Sequence, residues 1–256
     1  MPNSNTNTTD TLDMDQIKKL EAMRKNFVAN VSHELKTPIT LITGFLETLL
    51  GGAMHNKDEL VEFLQIIQKH AHRLDAIIDD LLSLSRIEQE HDNESIDKGR
   101  HSLNEVIKKA MGSCEEKALK KDISLSFSAS ETICATINPS LIEQAIINLS
   151  DNAIKYSPEG SKVQLSLSQT DTHIAIQVKD EGKGIPDKHI PHLFERFYRV
   201  DKARSREMGG TGLGLAIVKH IAQAHNGSVH VESTLDSGSV FSIHLPTLVN
   251  NTETKP

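Results

Sequence analysis

One stretch, FVANVSHELKTPITLITGFLETLL from Phe27 to Leu50, constrains this chain more than any other. Apolar residues recur at Phe27, Val31, Leu35, Ile42, Phe45, Leu46 and Leu49, mostly three or four apart. That is the period of a helix with one buried stripe. Pro38 falls inside the pattern. Its ring cannot donate to the carbonyl of Glu34 and pushes that carbonyl away, at a cost of roughly 3 kcal/mol. The spacing predicts a helix that kinks or loosens just past a polar cluster of His33, Glu34 and, one turn on from His33, Thr37. A cost of that size asks for a reason.

Phosphoryl transfer supplies one. A neutral imidazole is a nitrogen nucleophile. A carboxylate beside it can bond the second ring nitrogen, fix the tautomer and offset the developing charge. Successive helix residues do not face each other, so Glu34 must reach round. The Thr37 hydroxyl can position a water for the hydrolytic direction. His70 and His72, on the next apolar stripe, have neither a following acid nor a hydroxyl one turn later. The string S-H-E-L-K-T-P closely resembles the H-box of sensor histidine kinases of two-component systems, in the phosphate-sensor (PhoR-like) and cell-wall-sensor form. The resemblance implies that His33 is the phosphoacceptor, with Glu34 beside it.

The rest of the chain tests that implication. With 256 residues there is room for one or two domains with real cores. A net charge of −7 argues against nucleic acid as a partner. Cys114 and Cys134 make no disulfide or metal pattern, which points to a reducing, cytoplasmic compartment. No apolar run approaches the ~18–20 residues of a membrane span, and the start MPNSNTNTTD has no apolar signal region. Members of the resembled family are commonly membrane receptors, so any membrane anchor is expected in segments outside this chain.

Residues 1–12 are expected to be a flexible tail. A helix of roughly 40 residues, about 60 Å long, is expected from Asp13, with Ile17 and Leu20 on its stripe, to Gly51 and Gly52. A second carries Leu60, Phe63, Leu64, Ile67, Ala71, Leu74, Ile77, Ile78, Leu81, Leu82 and Leu84. Together, residues 13–92 read as a helical hairpin whose stripe needs a partner. Two hairpins make a four-helix bundle, so a homodimer is expected. Residues 93–100 read as a linker, and 249–256 as a second tail. Residues 101–248 read as an α+β domain, a mixed sheet with helices on one face. Its helices fall at 101–121, 139–156 and 212–225. Its strands are ISLSFSA, ICATI, KVQLSLS, HIAIQVKD, SVHVES and SVFSIHL.

Four stretches of that domain carry chemistry. In NLSDNAIKY, Asn148, Asn152, Lys155 and Tyr156 share one helix face, opposite Ile142, Ala145, Ile146, Leu149 and Ala153. An amide oxygen suits magnesium, which prefers oxygen ligands. In DEGKG, Asp180 at a strand end can accept from an exocyclic amine, while Gly182 and Gly184 let backbone pass close to a base. In LFERFYRVD, Phe194 and Phe197 are core anchors, and Arg196, Arg199 and Lys202 are candidate phosphate contacts. In GGTGLGLAIVKHIAQAHNG, glycines 209, 210, 212 and 214 open a helix and aim free N–H groups at an anion. No G-K-[ST] follows, so it is not a Walker loop, and G-x-G-x-x-G does not fit.

Taken in order, these resemble the N, G, F and G boxes of histidine kinases. The resemblance implies a Bergerat-type ATP-binding sandwich, with ATP and Mg2+ as cofactors. It makes Asn152 the magnesium ligand and Asp180 the adenine acid. Asn148, Lys155, Tyr156, Gly182, Gly184, Arg199, Gly210, Thr211, Gly212, Leu213 and Gly214 complete the ATP site, with 199–210 as a mobile lid. It also implies a response regulator receiver domain as partner, docking near His33, and a phosphatase role for Thr37. Rival readings are an Hsp90/MutL-class ATPase switch and a nucleotide-binding scaffold without catalysis. The H-box and the helical bundle argue against the first, and the resemblance to Hsp90-like enzymes puts Asn148 where they carry a water-activating Glu, which implies slow hydrolysis.

Overall fold

Helices α1 (Asn7–Leu50) and α2 (Lys57–Asp92) open the chain in this computed structural model, which describes residues 7–92, 95–201 and 209–247. Of residues 7–24 and Met54 only the backbone is described, so Ile17 and Leu20 lie outside the description as side chains. Helix α1 starts at Asn7, six residues before the expected Asp13. Gly51 and Gly52 end it, and Asn56 caps α2 by accepting the Asp58 N–H at 3.1 Å. Phe45 then meets Phe63 with ring centroids 5.2 Å apart, and Glu34 meets Arg73 at 2.8 Å. Reading α1 backwards matches reading α2 forwards, so the pair is an antiparallel hairpin.

The expected stripe faces inward at Phe27, Val31, Leu35, Ile42, Phe45 and Leu49, and Pro38 is buried with it. Helix α1 runs unbroken through Pro38. Packing of that face outweighs one missing helix bond, so no break appears where loosening was expected. Leu46 departs from the expectation at 43% exposed. It joins Val28, Ile39 and Leu50 on one flank of the apolar arc, and Val61, Leu64 and Ile78 are likewise exposed on α2.

The chain forms two compact units, divided between Ile78 and Asp79, not at the expected boundary near 92. The cause is packing. Leu84 and Ile87, on the last turns of α2, are each 1% exposed and belong to the second unit's core. The expected linker is corrected too. Asn93 and Glu94 lie outside the described residues, but strand β1 (Gly99–Ser102) pairs antiparallel with β3 (Cys134–Ile137).

Helix α3 (Leu103–Leu119) follows from Ser102, whose hydroxyl accepts the Glu105 N–H. Strand β2 (Ser124–Ala129) precedes β3, and helix α4 (Pro139–Tyr156) has Asn138 as its N-cap and Pro at its first position. Strands β4 (Lys162–Gln169) and β5 (His173–Asp180), helix α5 (Gly214–Ala224) and strands β6 (Ser228–Thr234) and β7 (Gly238–Pro246) complete it. The five-stranded sheet runs β2-β4-β5-β7-β6, parallel only between β2 and β4. Ile107 of α3, Ile142 and Ile146 of α4 and Ile217 of α5 pack with Leu165, Ile176 and Ile243 of the sheet in one core. Among the described residues, no helix is long and apolar enough to cross a membrane.

Two polar devices fix α4. At its C-terminus the Lys121 ammonium donates to the carbonyls of Ile154, Lys155 and Ser157 at 2.8, 2.9 and 2.6 Å. At its N-terminus, buried His225 accepts the Asn138 N–H on Nε2 at 2.9 Å. Its Nδ1 lies 2.8 Å from the Ile221 carbonyl and must donate to it, so the ring is neutral. Burial holds the His225 pKa below 6.5, only partly opposed by the Ile221 bond. Burial likewise pushes His220 down to about 4.

Both groups bind a proton more readily in the unfolded chain. Stability is therefore complete above the unfolded value of 6.5 and falls as pH drops below it. The urea midpoint of the second unit should fall between pH 7 and pH 5, and His225→Gln should remove part of that slope. An unchanged slope in the variant would show that His225 is not a source of it.

Candidate active site

In the first unit, His33 presents a side chain that is 68% exposed. Glu34 and Arg73 beside it are buried, at 8% and 7%. Arg73 Nη2 donates to Glu34 Oε2 at 2.8 Å, while Glu34 Oε1 lies 4.0 Å from His33 Nδ1. The acid expected to serve His33 is thus within reach of the ring but anchored across the hairpin. Sequence reasoning missed Arg73, which looks like any basic residue on a polar turn. Thr37 Oγ1 donates to the His33 carbonyl at 3.0 Å, a back-bond common for Thr within helices. Of the two competing histidines, His72 is exposed and His70 is half-buried. Burial, Arg73 and Lys69 lower the pKa of His70.

In the second unit, a pocket of about 560 Å³ opens between α4 and the loops after β5 and before α5. Asn148, Asn152, Lys155, Tyr156, Asp180, Gly182, Gly184, Arg199, Gly210, Thr211, Gly212 and Gly214 all line it. Four stretches far apart in sequence converge because α4 turns its polar face outward while Ile142, Ala145, Ile146 and Leu149 are buried. Leu213 is corrected. Its side chain is fully buried in the core, and its N–H bonds the Thr211 hydroxyl at 3.2 Å.

Asp180 ends β5 only 5% exposed. Its Oδ1 accepts two backbone N–H groups, from Gly182 at 2.7 Å and Ser239 at 3.2 Å. No hydrogen bond from the described residues engages Oδ2. Burial raises the Asp180 pKa, against the two backbone bonds that lower it. A Cβ at Gly182 would stand 2.7 Å from that same Oδ1 and 3.0 Å from the Tyr156 carbonyl, so only glycine fits. Gly212 has φ +80, and a Cβ there would meet the Phe197 backbone at 3.0 Å.

Around the loop before α5, Arg199 donates to the Thr211 carbonyl at 2.5 Å, and Asn148 Nδ2 to the Gly214 carbonyl at 3.3 Å. Lys155 lies 5.3 Å from the centroid of the Tyr156 ring. Arg196, expected at phosphate, is instead engaged with Glu88 of α2, which also lies 3.1 Å from His220. Phe194 and Phe197 pack against the core, as expected of anchors. Lys202, Arg204, Arg206 and most of the expected lid lie outside the described residues. Two further pocket residues had no signal in the sequence. Asp80 accepts the Thr211 hydroxyl at 2.6 Å, its pKa raised by burial, and Lys117 pairs with Asp151 at 2.5 Å.

Comparison with known proteins adds to this geometry. Residues 23–90 match the family model of the His Kinase A (phospho-acceptor) domain, and residues 137–249 that of the histidine kinase-, DNA gyrase B- and HSP90-like ATPase. The sensor histidine kinase WalK of Bacillus subtilis is 37% identical over 239 residues, which cover 91% of this chain and 38% of that protein. The chain thus spans well under half of that relative. Among solved structures, the mycobacterial sensor histidine kinase MprB is 30% identical, with a TM-score of 0.50 over 58% of this chain and 97% of that one. Histidine kinase ThkA, in complex with response regulator protein TrrA, is alike in fold, with 24% identity and a TM-score of 0.70 over 95% of this chain and 68% of that one.

A raised pKa means that ionised Asp180 costs stability: the fold gains below 3.8 and loses as pH rises through the folded value. An Asn there keeps the acceptor for both N–H groups but turns a donor toward the ligand. Asp180→Asn should therefore unfold at an equal or higher temperature while losing ATP affinity by about 1–3 kcal/mol. Melting curves and calorimetric ATP titration read both effects, and a variant that melts lower would contradict the assignment.

Proposed function

Because the chain belongs to the sensor histidine kinases of two-component systems, we propose that it transfers the γ-phosphoryl group of ATP to His33 and from there to an aspartate of a response regulator receiver domain. One observation carries the reading: the same chain holds an exposed histidine beside a tethered acid and a pocket whose buried Asp180 keeps one oxygen for an adenine amine. The apolar pocket wall, including Ile185 and Phe241, suits a base, and Tyr156 stands beside it. Lys155 and Arg199 also line the pocket, and their positive charge suits a polyphosphate.

His33 Nε2 attacks phosphorus, the bond to the ADP oxygen breaks, and the regulator's carboxylate later takes the group from nitrogen. Positioning and charge neutralisation do most of this work. Magnesium, when bound, neutralises phosphate charge. Asn152 fits it as a ligand, since its amide faces the pocket and no hydrogen bond from the described residues occupies it. No cluster of three or more acidic, His or Cys ligands exists among the described residues. That suits an ion held mainly by phosphates and water.

The exposed flank of Val28, Ile39, Leu46, Val61 and Leu64 supports a homodimer, in which two hairpins form a four-helix bundle. ATP and the regulator both place the activity in the cytoplasm. His33→Gln should incorporate no acid-labile, base-stable phosphate from γ-labelled ATP and still bind ATP. It should also release phosphate slowly, because Asn148 has no basic lone pair to activate water. Label persisting in the variant, for example at His70, would refute the reading.

Thr37 serves the reverse direction. Its hydroxyl gives its proton to the His33 carbonyl but keeps acceptor lone pairs one turn from His33, where a water can be aligned on an aspartyl phosphate. Thr37→Ala should keep autophosphorylation and transfer while phosphorylated regulator persists longer in its presence. A parallel fall of kinase and dephosphorylation rates would make Thr37 structural.

A further inference from the structure

We infer that Arg73, acting through Glu34, fixes the tautomer of His33 and so decides which ring nitrogen receives the phosphoryl group. The inference rests on His33 as phosphoacceptor and adds a positioning residue to that reading.

The first unit buries very little. Among its described residues only Glu34, Pro38, Leu49, Arg73 and Ile77 are buried, so a charged pair makes up two of the five. Burying an ion pair commonly costs about as much as the attraction returns, and apolar side chains of similar size often serve stability better. Stability therefore does not account for the pair. Its geometry does. Arg73 takes Oε2 of Glu34 at 2.8 Å. The other oxygen, Oε1, is the one toward His33 Nδ1, at 4.0 Å. Arg73 stands on the opposite helix.

The gap is 4.0 Å as the ring stands, and a bond from Nδ1 to Oε1 requires the exposed imidazole to rotate. An ionised carboxylate brings no proton, so Nδ1 must carry it, and Nε2 keeps the lone pair. That lone pair forms the N–P bond as the bond from γ-phosphorus to the ADP oxygen breaks. The Nδ1 proton stays in place, the ring gains positive charge, and Glu34 offsets it. Without Arg73 the carboxylate loses the bond that holds Oε2, so Oε1 is no longer fixed toward Nδ1, both tautomers are populated, and either nitrogen can attack.

The test uses the full chain with Arg73→Met and Arg73→Lys. Ring 15N spectra, with His33→Gln to assign the His33 signals, read the tautomer without ATP. Phosphorus spectra of the labelled, denatured protein read the phosphohistidine isomer. The native chain should show Nδ1–H and the Nε2 isomer. Arg73→Met should mix tautomers and isomers and slow labelling about tenfold or more, as loss of an orienting outer partner does. Arg73→Lys should restore the isomer. If Arg73→Met fails to fold, the apolar pair Glu34→Leu with Arg73→Met replaces it and should also give mixed isomers. A single Nε2 isomer and an unchanged tautomer in folded Arg73→Met, or in the double variant that replaces it, would overturn the inference, whatever the rate. Absence of phosphohistidine in the native chain would instead defeat the kinase reading, while the tautomer spectra would still report on Arg73.

Discussion

Helix α4 has to satisfy two neighbours at once, and much of the second unit depends on it. Its inner residues Ile142, Ala145, Ile146 and Leu149 are fully or almost fully buried. Its outer residues Asn148, Asn152 and Tyr156 line the pocket. A helix turns by a fixed angle per residue, so packing the inner face dictates where the outer one points. The site inherits the precision of the core. Lys121 and His225 then hold the two ends, one through three carbonyls and the other through a single backbone N–H. Neither residue lines the pocket, yet both tie down the ends of the helix that does.

The pocket is built against the preference of its own carboxylates. Asp180 and Asp80 are both pushed toward the protonated form by burial. Asp180 is compensated by two backbone donors, and Asp80 by the Thr211 hydroxyl. A fold optimised only for stability would place apolar groups there. The sheet provides the position: Asp180 ends β5 on the buried face it shares with Ile174, Ile176 and Val178, so a polar terminus closes an otherwise apolar face of the strand.

Legibility in the sequence followed the strength of local pattern. Helix α4 and strand β5 have the bounds expected of them, because a proline and cap open one and clean alternation spans the other. The polar string at His33 was legible because its residue types are costly together. The unit boundary was not. Leu84 and Ile87 continue the apolar period of α2 without change, and periodicity says nothing about what a face packs against. Four-residue β1 is too short and polar to alternate visibly. Leu213, lying between Gly212 and Gly214, read as part of the loop although its side chain is core. Arg196 and Arg199 look alike in sequence, but only Arg199 turns to the pocket. Arg196 is held by Glu88, more than a hundred residues away, as no local rule foretells.

The cross-hairpin pair also shapes how the first unit can respond to force. Arg73 satisfies Glu34 at one alignment of α1 against α2. Sliding one helix past the other strands two buried charges, at a cost of about 3–5 kcal/mol. Small axial displacements of one helix against the other are therefore opposed by this one bond more than by the half-buried apolar side chains around it. The pair thus works on the hairpin as a detent works on a shaft, marking one register among those that apolar packing alone would leave alike.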